Sequence, residues 1–248
     1  LVVTDFDEVM RTGAQLDLHD CAYGEWRGDF VSSPHRYYYF LAGLVRTRGF
    51  TRILEIGTHY GGATTALSRG IVDERASEAC IVTLDITHFN DDKLRAIEGL
   101  QRITGDSLRG HVIDEVCRRF SGPIDLLYVD SRHERLETLQ NIAVYANRLQ
   151  PVVIVLDDIH LNQSMQALWR QLVSLEIGRT TDVSKLVDRK SAGFGVIECV
   201  RPYAWPELRG PRRAAWLTFR EARKVIGPYV PSRGKRLLRD ATARYRKH

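Results

Sequence analysis

From residue 52 to residue 200, short apolar runs alternate with amphipathic stretches, and this rhythm limits the fold more than any other feature of the chain. Runs at 52–56, 81–86, 101–105, 124–130 and 152–156 read as strands, and stretches at 63–72, 91–100, 111–120, 133–147 and 164–177 read as helices. In the helix at 133–147, Leu136, Leu139, Ile142, Ala143 and Ala146 recur at helical spacing. Residues 181–187 and 194–200 are two final strands, joined by a turn through 190–193. Five strand–helix units predict a mostly parallel sheet, because parallel neighbours need a crossover and a helix is the usual one. The last two strands are connected too closely for a crossover, so they are expected to be antiparallel. The expected class is α/β, a doubly wound seven-stranded sheet with its last strand antiparallel and helices on both faces.

Outside that core the chain changes character. Residues 1–50 are irregular at first and then aromatic, with Tyr23, Trp26, Phe30 and the run Tyr37, Tyr38, Tyr39, Phe40 close together. A helix is expected over 34–48, stopped by Gly49. Residues 201–248 hold 14 of the 36 Lys and Arg but only 3 of the 31 Asp and Glu, a net charge of +11 beside −6 for residues 1–200. The overall charge of +5 therefore describes neither part. A bulk basic charge would invite a nucleic-acid reading, but here it belongs to an arm. The plainer reading of the arm is a solvated pair of helices, near 216–225 and 235–246, and the sharper one is contact with an anionic partner. Three segments follow: 1–50 as a lid or substrate segment, 51–200 as the catalytic domain, and 201–248 as a basic helical arm.

Composition removes other classes. No apolar run approaches the roughly 20 residues that span a bilayer. Cys21, Cys80, Cys117 and Cys199 show no paired spacing and suit reduced thiols, so a cytoplasmic protein is expected. No secretory signal is visible, and the absence of Met at position 1 places the expected start upstream.

In a doubly wound sheet, ligands bind at the carboxyl ends of the strands, and polar residues gather there. The first strand runs into Glu55, Gly57, Thr58, His59, Tyr60, Gly61 and Gly62, where glycines permit a tight turn and close backbone approach before a helix begins. This is not the dinucleotide fingerprint. The second strand ends in Asp85, whose carboxylate suits a ribose diol, and the third in Asp106-Ser107, which suits an adenine ring. Taken singly, each reads better as a turn or cap. Three successive strand ends make a pattern.

On these residues the chain resembles the class I S-adenosylmethionine-dependent methyltransferases over about residues 50–200, which implies a Rossmann-like methyltransferase sheet. The resemblance implies that Glu55, Gly57, Thr58, Gly61 and Gly62 meet the methionine part of the cofactor. Asp85 would hold its ribose, Asp106 and Ser107 its adenine, and Asp130 would also face it. The fourth and fifth strands end in Asp130-Ser131-Arg132-His133 and Asp157-Asp158-Ile159-His160. Three carboxylates on neighbouring strands suit a hard divalent cation such as Mg²⁺. This part resembles metal-dependent O-methyltransferases of the macrolide-sugar and cephalosporin-biosynthesis type, a mycobacterial polysaccharide methyltransferase being one version. It implies Asp130, Asp157 and Asp158 as metal ligands and His133 as the base.

An alcohol is a poor nucleophile while protonated, and an imidazole with a pKa of about 6.5 is a suitable proton acceptor. His160 is the rival base. His59 and Tyr60 are candidate contacts to substrate or cofactor, and Arg36 and Trp26 are candidate parts of a lid. The expected acceptor is a small molecule or oligosaccharide carrying a sugar hydroxyl, with no nucleic-acid partner, no membrane span and a homo-oligomer left open. The alternatives are a catechol-type methyltransferase, an RNA methyltransferase prompted by the arm, and a binding protein that keeps the fold without catalysis.

Overall fold

The computed structural model describes residues 3–21, 25–26, 29–30, 35–87, 89, 91–188, 192–206, 215 and 218. The chain divides into two compact units, Leu1–Trp205 and Pro206–His248, and nearly all described residues belong to the first. The helix expected near 216–225 apart from Thr218, the helix expected near 235–246, the expected turn at 190–191 and the Trp26 side chain lie outside the described residues.

Seven strands form the main sheet: β1 (Arg52–Ile56), β2 (Cys80–Asp85), β3 (Leu100–Thr104), β4 (Leu126–Val129), β5 (Val153–Asp157), β6 (Gly178–Asp182) and β7 (Phe194–Cys199). Their order is β3-β2-β1-β4-β5-β7-β6. β1 pairs in parallel with β2 and β4, and the parallel set extends to β3 and β5. β7 inserts antiparallel between β5 and β6. This is the Rossmann-like sheet expected. Chain order reverses between β1 and β4, which opens a crevice above their carboxyl ends. Every residue of β4 and β5 is buried, as a sheet covered on both faces requires.

Among the described residues of the first unit, seven α-helices accompany the strands: α1 (Phe6–Gly13), α2 (Arg36–Arg48), α3 (Gly62–Gly70), α4 (Asp91–Arg95), α5 (Gly110–Arg118), α6 (Arg135–Leu149) and α7 (Gln163–Ser174). α1 occupies a stretch expected to be irregular. Its Asp5 cap accepts from the amides of Asp7 and Glu8, and Val9 and Gly13 form its buried face. α1 crosses α2 where side chains are missing: a Cβ on Gly43 would stand 2.0 Å from the Val9 carbonyl oxygen. α2 buries Phe40, Leu41, Leu44 and Val45 completely, at roughly 1.5–3 kcal/mol of burial for each large side chain. It is thus a fixed wall of the first unit.

Other boundaries moved for local reasons. The helix expected over 91–100 stops at Arg95, because Gly99 turns the chain at φ +71° and Leu100 joins β3 beside Ile81. The strand expected at 181–187 lies at Gly178–Asp182 instead. The Asp182 carboxylate accepts from the Ser184 amide at 2.9 Å and ends the strand in a turn, so Val183 and Val187 reach the core from a turn. α6 begins at Arg135, two residues later than expected, which leaves His133 on the loop before it.

Candidate active site

The turn after β1 is built by backbone. Gly57 has φ +104°, and a Cβ there would stand 1.8 Å from the carbonyl oxygen of Asp130. Any side chain at 57 would push β1 and β4 apart at the crevice. The Gly57 amide donates to Leu84 O and the Asp130 amide to Ile56 O, so three strand ends are tied together. Gly61 leads into α3 without a side-chain cap.

Beneath this turn lies a buried polar network. Glu55 is fully buried and its Oε2 accepts from the Thr64 hydroxyl at 2.5 Å and the Thr83 hydroxyl at 2.6 Å. Thr83 also pairs with the Thr58 hydroxyl at 2.5 Å. Burial pushes the Glu55 carboxyl up to about 8 despite those two donors. Its side chain therefore braces the turn from below, and Thr58 joins it there.

Asp85 stands at the end of β2. Its Oδ2 accepts from the His59 amide at 2.8 Å and its Oδ1 from the Ile86 amide at 2.7 Å. A carboxylate has further lone pairs, so it both fixes the turn and remains an acceptor at the crevice edge. His59, at φ +47°, packs edge-on against Tyr60 at 4.3 Å, and Phe89 joins Tyr60 at 4.9 Å. Asp106 Oδ1 accepts from the Leu108 amide at 3.1 Å, and its Oδ2 lies 3.8 Å from Arg109 Nε. The Ser107 carbonyl accepts from the Tyr145 hydroxyl at 2.8 Å.

The other half of the crevice is built by side chains. His133 Nε2 lies 3.2 Å from Asp158 Oδ2 and 3.5 Å from Asp130 Oδ1. Its loop is held in place by α7: the Asn162 amide group donates to His133 O at 3.1 Å, and the Arg135 amide donates to Ser164 Oγ at 2.9 Å. Asp158 has φ +58°, and its amide donates to Gly193 O and to Asp157 Oδ1. A non-glycine residue in that conformation at a strand end marks a place the surrounding structure over-determines. The Tyr128 hydroxyl donates to Asp130 Oδ2 at 3.1 Å. Tyr128 and Tyr37 are buried beside Asp130 and Asp157, and burial, with those acids nearby, pushes both phenols well above their ordinary value.

The structure brings Asp130, His133 and Asp158 together. His160 goes elsewhere: its Nε2 bonds Asp182 Oδ2 at 2.7 Å. Burial works to raise the Asp182 carboxyl, but the Ser184 hydroxyl and amide and His160 together hold it below its ordinary value. Arg36 donates to Leu186 O at 3.3 Å. Among the described residues, no group of three or more His, Cys, Asp or Glu side chains is arranged to hold a metal ion. The expected ligands Asp130, Asp157 and Asp158 are not arranged as such a group. Asp157 is 4% exposed with Oδ1 turned to the Asp158 amide, and the His133 ring nitrogen stands between the other two carboxylates. As placed, these residues do not fit a cation.

Sequence reasoning missed Tyr37, Tyr38, Thr83 and Tyr128. The aromatic run on α2 was a visible signal, but nothing local says that its first turn lies against the ends of β4 and β7. Tyr37 reaches Phe194 at 5.8 Å, and that contact spans the chain.

Residues 54–159 match a family model described as a methyltransferase domain. No curated protein matches the sequence. Solved structures with this methyltransferase fold include the O-methyltransferase TomG of tomaymycin synthesis from Streptomyces achromogenes, in complex with SAM. It is 19% identical, with 81% of this chain and 92% of that chain covered and a TM-score of 0.53. An O-methyltransferase from Bacillus cereus in complex with SAH is 19% identical, covering 80% of this chain and 93% of that one at a TM-score of 0.53. The cofactor-bound protein Rv0187 from MTB is 22% identical, covering 80% and 92% at a TM-score of 0.51. At these identities the likeness is one of fold, and it spans nearly the whole of each neighbour. Among the described residues, no helix is long and apolar enough to cross a membrane.

Proposed function

We propose that the chain is an S-adenosylmethionine-dependent O-methyltransferase whose acceptor is a hydroxyl of a carbohydrate or glycosylated metabolite. The observation that carries this reading is the position of His133 between Asp130 and Asp158, across the crevice from the turn at Gly57. The methyltransferase domain and the SAM- and SAH-bound neighbours support the donor. On the cofactor side, the turn from Gly57 to Gly62 receives the methionine part, Asp85 the ribose, and Asp106 and Ser107 the adenine.

The reaction is an in-line displacement at carbon. The acceptor oxygen forms a bond to the methyl carbon as the carbon–sulfur bond breaks, and the sulfur keeps the electron pair. The hydroxyl proton passes to His133, and the imidazolium formed is stabilised by the carboxylates of Asp130 and Asp158 on either side. An alcohol needs such a base more than a phenol does, which favours a sugar-type acceptor over a catechol. No step here runs through a cation.

The test is methyl transfer from labelled S-adenosylmethionine to a panel of sugars, glycosylated metabolites and catechols, alongside calorimetric titration with S-adenosylhomocysteine. The absence of S-adenosylhomocysteine binding would sink the reading. Transfer to catechols alone would replace the acceptor class, and the same assay with and without a chelator reads whether the divalent cation implied by the resemblance is needed.

A further inference from the structure

Asp158 is the nearer of the two carboxylates to His133, and at φ +58° its backbone lies where a non-glycine residue stays only when its surroundings hold it. What holds it is the turn over 158–161, which the Leu161 amide closes on Asp158 O at 3.1 Å. That turn is stitched to the chain entering β7. The Asp158 amide donates to Gly193 O at 3.0 Å and the His160 amide to Ala192 O at 2.7 Å. From α7, the Gln166 side chain donates to His160 O at 3.2 Å.

The His160 side chain ties the turn to a further segment. Its ring lies over Gly193, where a Cβ would stand 2.6 Å from ring carbon Cδ2. Its Nε2 bonds Asp182 Oδ2 at 2.7 Å. A carboxylate only accepts, so Nε2 carries the proton and donates it. Asp182 is fixed in turn: its Oδ1 accepts from the Ser184 amide at 2.9 Å and from the Ser184 hydroxyl, and Ser184 Oγ accepts from the Phe194 amide at 2.9 Å. The imidazole is therefore bonded at the end of β6 and packed over the entry to β7. Two residues before it stands the acid that meets His133.

We propose that His160, held by Asp182, is a positioning residue. It keeps the turn in the form that aims the Asp158 carboxylate at His133, and it acts on methyl transfer without touching acceptor or cofactor. The proposal rests on the reading of His133 as the base.

Two variants of the full chain test it. His160→Phe keeps a ring over Gly193 and removes the bond to Asp182. His160→Gln puts an amide donor back within reach of Asp182 and supplies no basic nitrogen. In crystal structures of wild type and His160→Phe, the separation of Asp158 from His133 should lengthen in the variant beyond hydrogen-bond reach. With labelled S-adenosylmethionine and the acceptor panel above, kcat should fall by about 10²-fold in His160→Phe, the scale expected of a misplacement of about 1 Å. KM for S-adenosylmethionine and calorimetric affinity for S-adenosylhomocysteine should stay unchanged, and His160→Gln should recover most of the lost turnover. Asp182→Ala breaks the same bond from its exposed end and gives a second measure of both effects. An unchanged separation in His160→Phe, or full turnover despite a longer one, overturns the proposal. Equal loss in the Phe and Gln variants overturns it as well, because that is the behaviour of a base. A wild type that transfers no methyl group removes the reading on which the proposal rests, and the separation then still decides whether His160 holds the turn.

Discussion

The two sides of the crevice are made differently. The side over β1, β2 and β3 is shaped by main chain: Gly57 sits against the carbonyl of Asp130, and Asp85 holds the amides of His59 and Ile86. The side over β4 and β5 is shaped by side chains, with His133 between Asp130 and Asp158. Backbone geometry fixes where a ligand lies and tolerates little change. Side-chain chemistry decides what happens to that ligand, and it can be removed without moving the frame. The first side should therefore fail through folding and binding, and the second through turnover.

The largest effect is expected at Gly57. Gly57→Val adds a side chain at φ +104° and at 1.8 Å from a carbonyl oxygen. It should destabilise the fold by about 3 kcal/mol or more and abolish S-adenosylhomocysteine binding. Denaturant midpoints and calorimetry check this, and a stable, binding-competent variant would break the claim that this side is built by backbone. His133→Ala is the opposite case. It should lower kcat by about 10²–10⁴ with cofactor affinity unchanged. Weakened cofactor binding in that variant would mean the two sides are not separable.

Glu55 sharpens the comparison through pH. Its carboxyl titrates near 8 in the folded chain against an ordinary 4.5. Between those values the folded chain keeps a proton that the unfolded chain has released. Glu55 thus makes the fold progressively less stable as pH rises through this window, by at most about 1.4 kcal/mol per pH unit. Below the ordinary value the effect vanishes. Glu55→Gln imitates the protonated acid, so its unfolding midpoint should vary less with pH and exceed that of wild type above pH 8. Parallel pH curves for the two proteins would show that the buried network does not hold a proton. The smallest effect is expected at Asp85→Asn, which keeps one carbonyl oxygen for the turn. It should weaken S-adenosylhomocysteine by about tenfold with little change in stability, and loss of the fold instead would move Asp85 from ligand contact to structural brace.

Much of this was legible in the sequence. The strand–helix rhythm identified all seven strands and their mixed direction, although the sixth was placed three residues late. The glycines after β1 and the acids ending β2, β3, β4 and β5 marked the crevice, because caps and turns explain one such residue but not its repetition at successive strand ends. α1 was missed because its apolar face is short and its partner, Gly43, is thirty residues away. The arrangement of the expected cation ligands was hidden for a related reason. Sequence places Asp130, Asp157 and Asp158 on neighbouring strand ends, but it does not say which way each carboxylate turns.

What the sequence determined by itself is the order of elements and the residues at strand ends, since periodicity and turn chemistry are local properties. What only the tertiary structure decided is which of those residues meet. Asn162, which caps α7, and Ser164 in its first turn hold the His133 loop beside Asp158 while His160 is drawn to Asp182, and Tyr38 reaches Gly62 across the space a side chain would have filled. Those choices depend on packing between segments far apart in the chain, where a shift of one ångström changes the partner and no local pattern records it.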